Sequence, residues 1–409
     1  MKGGSRVLVF VFVVVVLTGA GWAVAEDPTV VATVQLGQST CCSITGVAVN
    51  PDTNRIYVTD LSKDLLYVLD GATNTLEATV PVTGRPFGVK VNPFTNLVYV
   101  SSIDDEAIYV IDGATDSLID TIPVPHTPLD LVMDFMADRL YAANPASSCV
   151  CEIDCTTNSV QGIPLDPRPQ GLGVDLVNGQ VWVGHESACV SVIEEDAAVE
   201  PIVLGSRPVD VAVNPLVRRA YACDRDNNNV YMIDTKTHRM DEVALAGSPR
   251  SIATNPLSRR VYVVLADDSL QVLDGLSDSI VATVPVGDGP MDVAVNPLTG
   301  LVYIVHFVDG TLHVISDHDA IHTPQRAIVS HLNHLLVELS TTVDGAKLVG
   351  HVHRAIAVLQ DDDPGNDFRA AAGLVELIEE VEMSDKLPED QARRITLSAR
   401  RIITMFVGG

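Results

Sequence analysis

The chain has 409 residues, of which 53 are Asp or Glu and 26 are Lys or Arg, so its formal net charge is −27 at pH 7. A surface this acidic repels phosphate backbones, and the composition therefore argues against a nucleic-acid partner. The same charge favours solubility and suits divalent cations or basic partners.

The N-terminus has the pattern of a secretory signal peptide. Lys2 and Arg6 precede the apolar run Val7–Leu17, and Ala23-Val24-Ala25 provides an A-x-A cleavage site. An uncleaved anchor is the alternative, but the small residues and the switch to Glu26 favour cleavage. We therefore predict a signal peptide at 1–25, a secreted or periplasmic location at the cell envelope, and no stable membrane span after signal removal.

A sequence motif recurs at regular spacing through the next three hundred residues. The stretch "VAVNPDTNRIYVT" (Val47–Thr59) returns as "VAVNPLTGLVYIV" (Val293–Val305). The same register recurs at seven places: Asn50, Asn92, Asp134, Asp175, Asn214, Asn255 and Asn296. The successive spacings are 42, 42, 41, 39, 41 and 41 residues, which is typical of a propeller or a solenoid.

Each copy contains four short strand-like runs. In the second copy these are Gly88–Val91, Leu97–Ser102, Ala107–Asp112 and Leu118–Val124. Val, Ile and Tyr favour strands, and the Asn-Pro and Asp-Gly pairs between the runs favour turns. Four strands per unit predict the blade of a β-propeller.

The two ends of the array distinguish a ring from an open row. Copy seven has its first three strands, ending near Ser316, but no fourth. The N-terminal stretch "TVVATVQLG" (Thr29–Gly37) is similar to "SIVATVPVG" (Ser279–Gly287), the fourth strand of copy six. An N-terminal strand that completes the last blade would remove an exposed edge. We therefore predict a mainly β fold, a closed seven-bladed propeller over residues 26–317.

The repeat resembles the YVTN family of secreted seven-bladed propellers. The likeness is carried by "VAVNPDTNRIYVT" and "YVLDGATNTLEATVPV" and extends from Thr29 to about Ser316. Copies three and four depart from it because they lack the Asn-Pro turn, and copy four has Trp182 where the other copies have Tyr. The resemblance implies a binding or scaffold domain at the cell envelope, with no single ligand.

From about residue 318 the apolar spacing becomes helical. Ile328, Leu332, Leu335 and Leu339 share one helical face, and three further stretches repeat that pattern. This predicts a small all-α bundle of about four helices over residues 318–409. The segment resembles the FIMAH module of secreted proteins, on "GAKLVGHVHRAIAVL", "AAAGLVELIEEV" and "KLPEDQARRITLSARRI". The resemblance implies an accessory or interaction module.

In a propeller, the loops that enter the inner strands surround the channel mouth, which is the usual ligand site. Asp130, Asp210 and Asp292 occupy the first position inside three inner strands and could together hold a hard cation or a basic ligand. The alternative is that each aspartate only caps strand backbone. The other ligand-binding candidates are the basic residues near this face: Arg85, Arg168, Arg207, Arg250, Lys90, His126, His185 and His306.

A metal site is not defined by the sequence. No cofactor is predicted, although a divalent cation at the aspartates is possible. "DRDNNN" (Asp224–Asn229) begins like a Ca²⁺ loop but lacks the Gly and the distant Glu, so an ordinary turn is favoured.

Export permits disulfides among the seven cysteines. Cys149 and Cys189 have equivalent positions in neighbouring copies, and Cys223 follows in the next, so a cross-blade disulfide among these three is a candidate. Cys41 and Cys42 could pair with each other or elsewhere.

The sequence favours non-catalytic recognition of a protein or small-molecule ligand at the propeller mouth. No G-x-S-x-G, H-E-x-x-H or phosphate-binding glycine loop occurs. One alternative is an extracytoplasmic enzyme of the lactonase, lyase or quinoprotein-subunit type. Its support is fold analogy alone, since related propellers include such enzymes. The other is a passive envelope component without a ligand.

Overall fold

The structure, a computed structural model, describes residues 27–36, 43–165, 168–194, 197–198 and 201–317. In the C-terminal region it describes Ile395, Thr396 and Ala399, which are helical. The predicted signal peptide, Cys41, Cys42 and the rest of the predicted helical bundle lie outside the described residues. Within the described residues, no helix is long and apolar enough to span a membrane.

Within the described residues, the strands form seven sheets, each with its inner strand nearest the propeller axis. The inner strands are β2 (Ile44–Asn50), β6 (Pro86–Asn92), β10 (Leu131–Asp134), β14 (Pro169–Asp175), β19 (Pro208–Asn214), β23 (Pro249–Asn255) and β27 (Pro290–Asn296). The second strands are β3 (Arg55–Asp60), β7 (Leu97–Ser102), β11 (Arg139–Asn144), β15 (Gln180–His185), β20 (Arg219–Asp224), β24 (Arg260–Leu265) and β28 (Leu301–His306).

The outer half of each blade is built in the same order. The third strands are β4 (Leu65–Asp70), β8 (Ala107–Asp112), β12 (Cys149–Asp154), β16 (Cys189–Glu194), β21 (Asn229–Asp234), β25 (Ser269–Asp274) and β29 (Thr311–Ser316). The outermost strands are β5 (Thr75–Pro81), β9 (Ser117–Pro123), β13 (Ser159–Pro164), the short β17 (Ala197–Ala198) and β18 (Ile202–Val203), β22 (Met240–Ala244), β26 (Ser279–Pro285) and β1 (Thr29–Gln35).

The N-terminal strand closes the ring, as the sequence predicts. β1 pairs antiparallel with β29, from Thr29 opposite Ser316 to Gln35 opposite Thr311. The seventh sheet therefore has the order β1-β29-β28-β27 and combines the two ends of the array. The fold is a closed seven-bladed propeller.

The core lies between the blades. Apolar side chains form seven buried clusters, one at each interface between neighbouring blades, including the interface between blades seven and one. The aromatic residue of the second strand belongs to these clusters. Tyr57 packs between blades one and two, and Trp182 fills the same place between blades four and five. Both faces of a blade are therefore buried, which explains the continuous apolar runs of its strands.

The turn after each inner strand is preserved in all seven blades. In blades three and four, Asp134 and Asp175 replace Asn, and no proline follows them. Their carboxylates nevertheless accept the backbone N–H two residues later, at 3.0 Å in both cases, as Asn50 does in blade one. The side-chain oxygen, rather than the proline, is the feature that the turn requires.

Candidate ligand-binding channel

Three carboxylates narrow the channel along the propeller axis. Asp130, Asp210 and Asp292 line two cavities, together with Ser251. One cavity, the mouth cavity, has a volume of about 190 Å³ and is bordered by the first residues of the inner strands. The other, the lower cavity, has a volume of about 150 Å³ and is bordered by the inner strands and the turns that follow them. The aspartates, contributed by blades three, five and seven, thus form a constriction between the two cavities.

Two of the three aspartates connect their blade to the next one. Asp130 Oδ2 accepts a hydrogen bond from the backbone N–H of Leu172 in blade four, at 2.7 Å. Asp210 Oδ2 accepts one from Ile252 in blade six, at 2.9 Å. Each carboxylate therefore caps strand backbone, as the alternative interpretation of the sequence expected, but the strand belongs to the neighbouring blade.

Asp292 makes the corresponding link between the last blade and the first. Its Oδ2 accepts the backbone N–H of Val47 at 2.9 Å. Its Oδ1 accepts the Ser251 hydroxyl at 2.9 Å and the N–H of Val293 at 2.8 Å. The carboxylate is therefore held in place by three donors from blades one, six and seven.

Lys90 approaches this constriction from the lower cavity. It lies on β6 and lines the lower cavity, at a position where the other blades have small or aliphatic residues: Ala48, Val132, Gly173, Ala212, Ala253 and Ala294. Burial acts to lower the pKa of Lys90, but the charges of Asp130, Asp292 and Asp210 outweigh it and the pKa is raised. The ammonium group therefore remains charged inside the channel.

The environment separates the pKa values of two of the carboxyl groups. Burial raises the pKa of Asp130 to about 6, although the nearby Lys90 acts in the opposite direction. Burial, with the neighbouring charges of Asp130 and Asp292, raises the pKa of Asp210 to about 8. Near neutral pH, Asp210 holds a proton and can donate a hydrogen bond, whereas Asp130 is largely ionised.

Three of the four predicted arginines form ion pairs at the rim of the mouth. Arg85 contacts Asp104 at 3.5 Å, Arg168 contacts Glu186 at 2.7 Å, and Arg207 contacts Asp226 at 2.9 Å. Each partner lies in the loop between the second and third strands of the same blade. These guanidinium groups are exposed and do not line either cavity.

Arg250 does line the mouth cavity, and it is joined there by Arg225. The buried Nε–H of Arg250 has no hydrogen-bond partner among the described residues. Arg225 was not among the residues predicted for the site. It lies within "DRDNNN", a stretch in which the Asp and Asn oxygens indicated a turn or a Ca²⁺ loop. Asp224 opens an ordinary turn in that stretch, since its Oδ1 accepts the backbone N–H groups of Asp226 and Asn227 at 3.0 and 3.1 Å.

Two of the three candidate histidines are not at the mouth, contrary to the sequence expectation. His185 and His306 are both 0% exposed, because the end of the second strand is covered by the neighbouring strands and loops. The Nε2 atom of His306 accepts the N–H of Gly287 at 3.0 Å, and its ring packs against His313. Burial lowers the pKa of His306 to about 4. Of the three candidates, His126 alone is exposed, in the loop that precedes the inner strand of blade three.

The predicted cross-blade disulfide is not formed. Cys149, Cys189 and Cys223 are free thiols, as are Cys151 and Cys155. Cys149 packs at the interface between blades two and three, on the side of its strand that faces away from blade four. Cys223 is fully buried between blades five and six. Their sulfurs therefore belong to separate interfaces.

The thiol of Cys149 has an unusual environment. A hydrogen bond from Cys151 and one from Ser147, whose Oγ lies 3.0 Å from the sulfur, lower the pKa of Cys149 to about 6. The nearby His126 acts in the same direction. The Cys149 thiol therefore loses its proton more readily than an ordinary cysteine does.

Metal-binding clusters are absent from the part of the chain that the structure describes. No group of three or more His, Cys, Asp or Glu side chains is arranged there to hold a metal ion. The three channel aspartates line a common space but do not converge on one point.

Comparisons with known proteins identify the fold. No protein-family model and no curated protein matches the chain. Among solved structures, the chain is similar to hydrazine synthase of Kuenenia stuttgartiensis, with a TM-score of 0.62 and 19% sequence identity. The likeness covers 69% of this chain and 97% of that one. At this identity the similarity shows a shared propeller fold alone.

Proposed function

We propose that this protein is an exported, non-catalytic binding protein whose mouth cavity takes a small ligand with both a cationic and an acidic group. Export is supported by the N-terminal sequence. The binding site is supported by one observation above all: carboxylates from blades three, five and seven line the same cavity as Arg250.

The chemistry of the mouth cavity suggests a zwitterionic ligand. A primary ammonium group would be attracted to the carboxylates of Asp130 and Asp292, which line the cavity. A carboxylate on the same ligand could pair with the guanidinium group of Arg250, which lines the cavity. The cavity of about 190 Å³ is smaller than the roughly 300–1,000 Å³ of pockets that hold drug-sized molecules. We therefore infer a ligand of the size of an amino acid or a peptide terminus.

The test is calorimetric binding of a panel of amino acids, dipeptides, diamines and divalent cations to the purified chain. We expect a zwitterion to bind and the Arg250→Met variant to lose at least tenfold in affinity. Arg239→Met, an exposed arginine at the outer turn of blade five, is the matched control and should bind normally. Binding of a divalent cation alone would redirect the proposal to a cation site at the aspartates. If no member of the panel binds, the proposal fails and a passive envelope component is favoured.

An acid–base enzyme is the second candidate, because the pKa values of Asp130 and Asp210 are set apart, to about 6 and about 8. Carboxyl groups with separated pKa values in one cavity suit general acid and base roles. The hydrazine synthase similarity adds only fold analogy to this candidate. Turnover of a lactone or ester, abolished by Asp210→Asn and retained by the exposed control Asp241→Asn, would establish it.

A further inference from the structure

Blade three has two thiols on one face of its third strand, outside the channel site. Cys149 and Cys151 are two residues apart on β12 and therefore point to the same side of the sheet. Each thiol is the largest influence on the pKa of the other, in keeping with their shared side of the strand. Cys149 is half-exposed and Cys151 is fully buried.

The position of Cys151 differs from its equivalents in the other blades. The third residue of the third strand is Tyr67, Tyr109, Ser191, Tyr231, Gln271 and His313 in the remaining blades. Most of these side chains extend toward the mouth and hold a loop there. The Tyr109 hydroxyl, for example, donates to Asp105 at 2.6 Å. The cysteine side chain is too short for that contact. Blade three therefore has a thiol at a position where most other blades have a side chain that binds a loop.

Polar groups around the pair hold the two sulfurs in place. Asn144 Nδ2 donates to the Cys151 sulfur at 3.2 Å and to the carbonyl oxygen of Pro125, in the loop beside His126, at 2.5 Å. The Ser147 hydroxyl lies 3.0 Å from the Cys149 sulfur. The two thiols therefore have a built polar environment at the rim of the mouth.

A disulfide between the two is opposed by the strand geometry. Residues two apart on a strand have Cβ atoms roughly 6.6 Å apart, from a rise of about 3.3 Å per residue, whereas a disulfide needs about 3.5–4.5 Å. Closing that gap would pull β12 out of register with both neighbours, since Cys151 pairs with Ala142 on one side and with Gly162 on the other. A metal ion that bridges the sulfurs would instead need a sulfur–sulfur separation of about 4.6 Å, twice a metal–sulfur bond of about 2.3 Å.

We propose that Cys149 and Cys151 form a two-coordinate binding site for a soft monovalent cation, Cu(I). Thiolates select Cu(I) and zinc among biological metals. A structural zinc ion needs four ligands, and within the described residues no third His, Cys, Asp or Glu completes such a set. Binding of Cu(I) displaces whatever protons the two thiols carry, and both sulfurs and the copper keep their oxidation states.

The experiment is an anaerobic competition for Cu(I) between the full-length chain and a bathocuproine chelator. It uses a Cys41→Ser/Cys42→Ser background, so that this other adjacent pair does not contribute. We expect one Cu(I) per chain, with at least a tenfold loss of affinity in Cys149→Ser and in Cys151→Ser. Cys189→Ser is the matched control, because blade four has a single thiol at the first position and Ser191 at the third. It should retain the site.

X-ray absorption of the copper-loaded chain provides the second readout. Two sulfur ligands are expected, and Cys149→Ser, a change at a half-exposed position, should remove one without loss of the folded state. Unchanged Cu(I) affinity in both serine variants, or a Cys149–Cys151 disulfide in the chain as isolated, would overturn the proposal.

Discussion

The carboxylate of Asp292 accepts a hydrogen bond from the backbone N–H of Val47, which lies 245 residues earlier in the chain. The bond joins the inner strand of the last blade to that of the first. Asp292 also lines the mouth cavity. This one residue therefore contributes both to ring closure and to the candidate site.

Asp292→Ala should destabilise the propeller by at least about 2 kcal/mol. The change removes an acceptor from three donors, and a hydrogen bond to a charged group contributes about 1.5–3 kcal/mol. Relief of the repulsion between Asp292 and the other two aspartates offsets part of that loss. Urea unfolding measures the difference, with Asp241→Ala as a control expected within about 0.5 kcal/mol of the wild type. Equal midpoints for wild type and Asp292→Ala would refute the closing role of this bond.

Closure by β1 makes a prediction about proline substitutions. The N–H of Leu36 donates to Gly310 on the β29 side, so the N–H of Val34, two residues earlier, points the same way, toward Leu312. The N–H of Thr33 points to the free edge. Val34→Pro should therefore lower the melting temperature by several degrees, while Thr33→Pro should have a much smaller effect. Equal effects of the two substitutions would mean that β1 does not pair with β29 in this register.

The pKa of Asp210 predicts a pH-dependent stability. Because its pKa rises from an ordinary value of 3.8 to about 8 on folding, the folded chain binds this proton more tightly than the unfolded chain. The stabilisation is therefore complete below about pH 4 and is lost as the pH rises toward 8. Asp210→Asn cannot ionise, so its melting temperature relative to wild type should rise between pH 5 and pH 9. A difference that stays constant, or falls, over this range would contradict the shift.

The repeat explains which parts of this fold were predictable. Seven copies in one register place Asp130, Asp210 and Asp292 at equivalent points of their repeats, and a closed ring brings equivalent points to one axis. The β1 strand was predictable because its sequence resembles β26. In contrast, the burial of His185 depends on the cover supplied by other strands, and the orientation of Cys149 depends on which interface its face of β12 meets. Neither is encoded in the spacing of the repeat. Arg225 reaches the mouth cavity from a turn in which the carboxylates, rather than the arginine, drew attention in the sequence.

The most direct test of the axial site is a carboxyl ¹³C NMR titration of the aspartates in the wild type and in Lys90→Met. We expect Asp130 to titrate near 6 and Asp210 near 8, and we expect loss of the Lys90 charge to move the midpoint of Asp130 upward. Ordinary Asp titration at both positions, unchanged in Lys90→Met, would show that side chains from blades two, three and five do not meet in the channel.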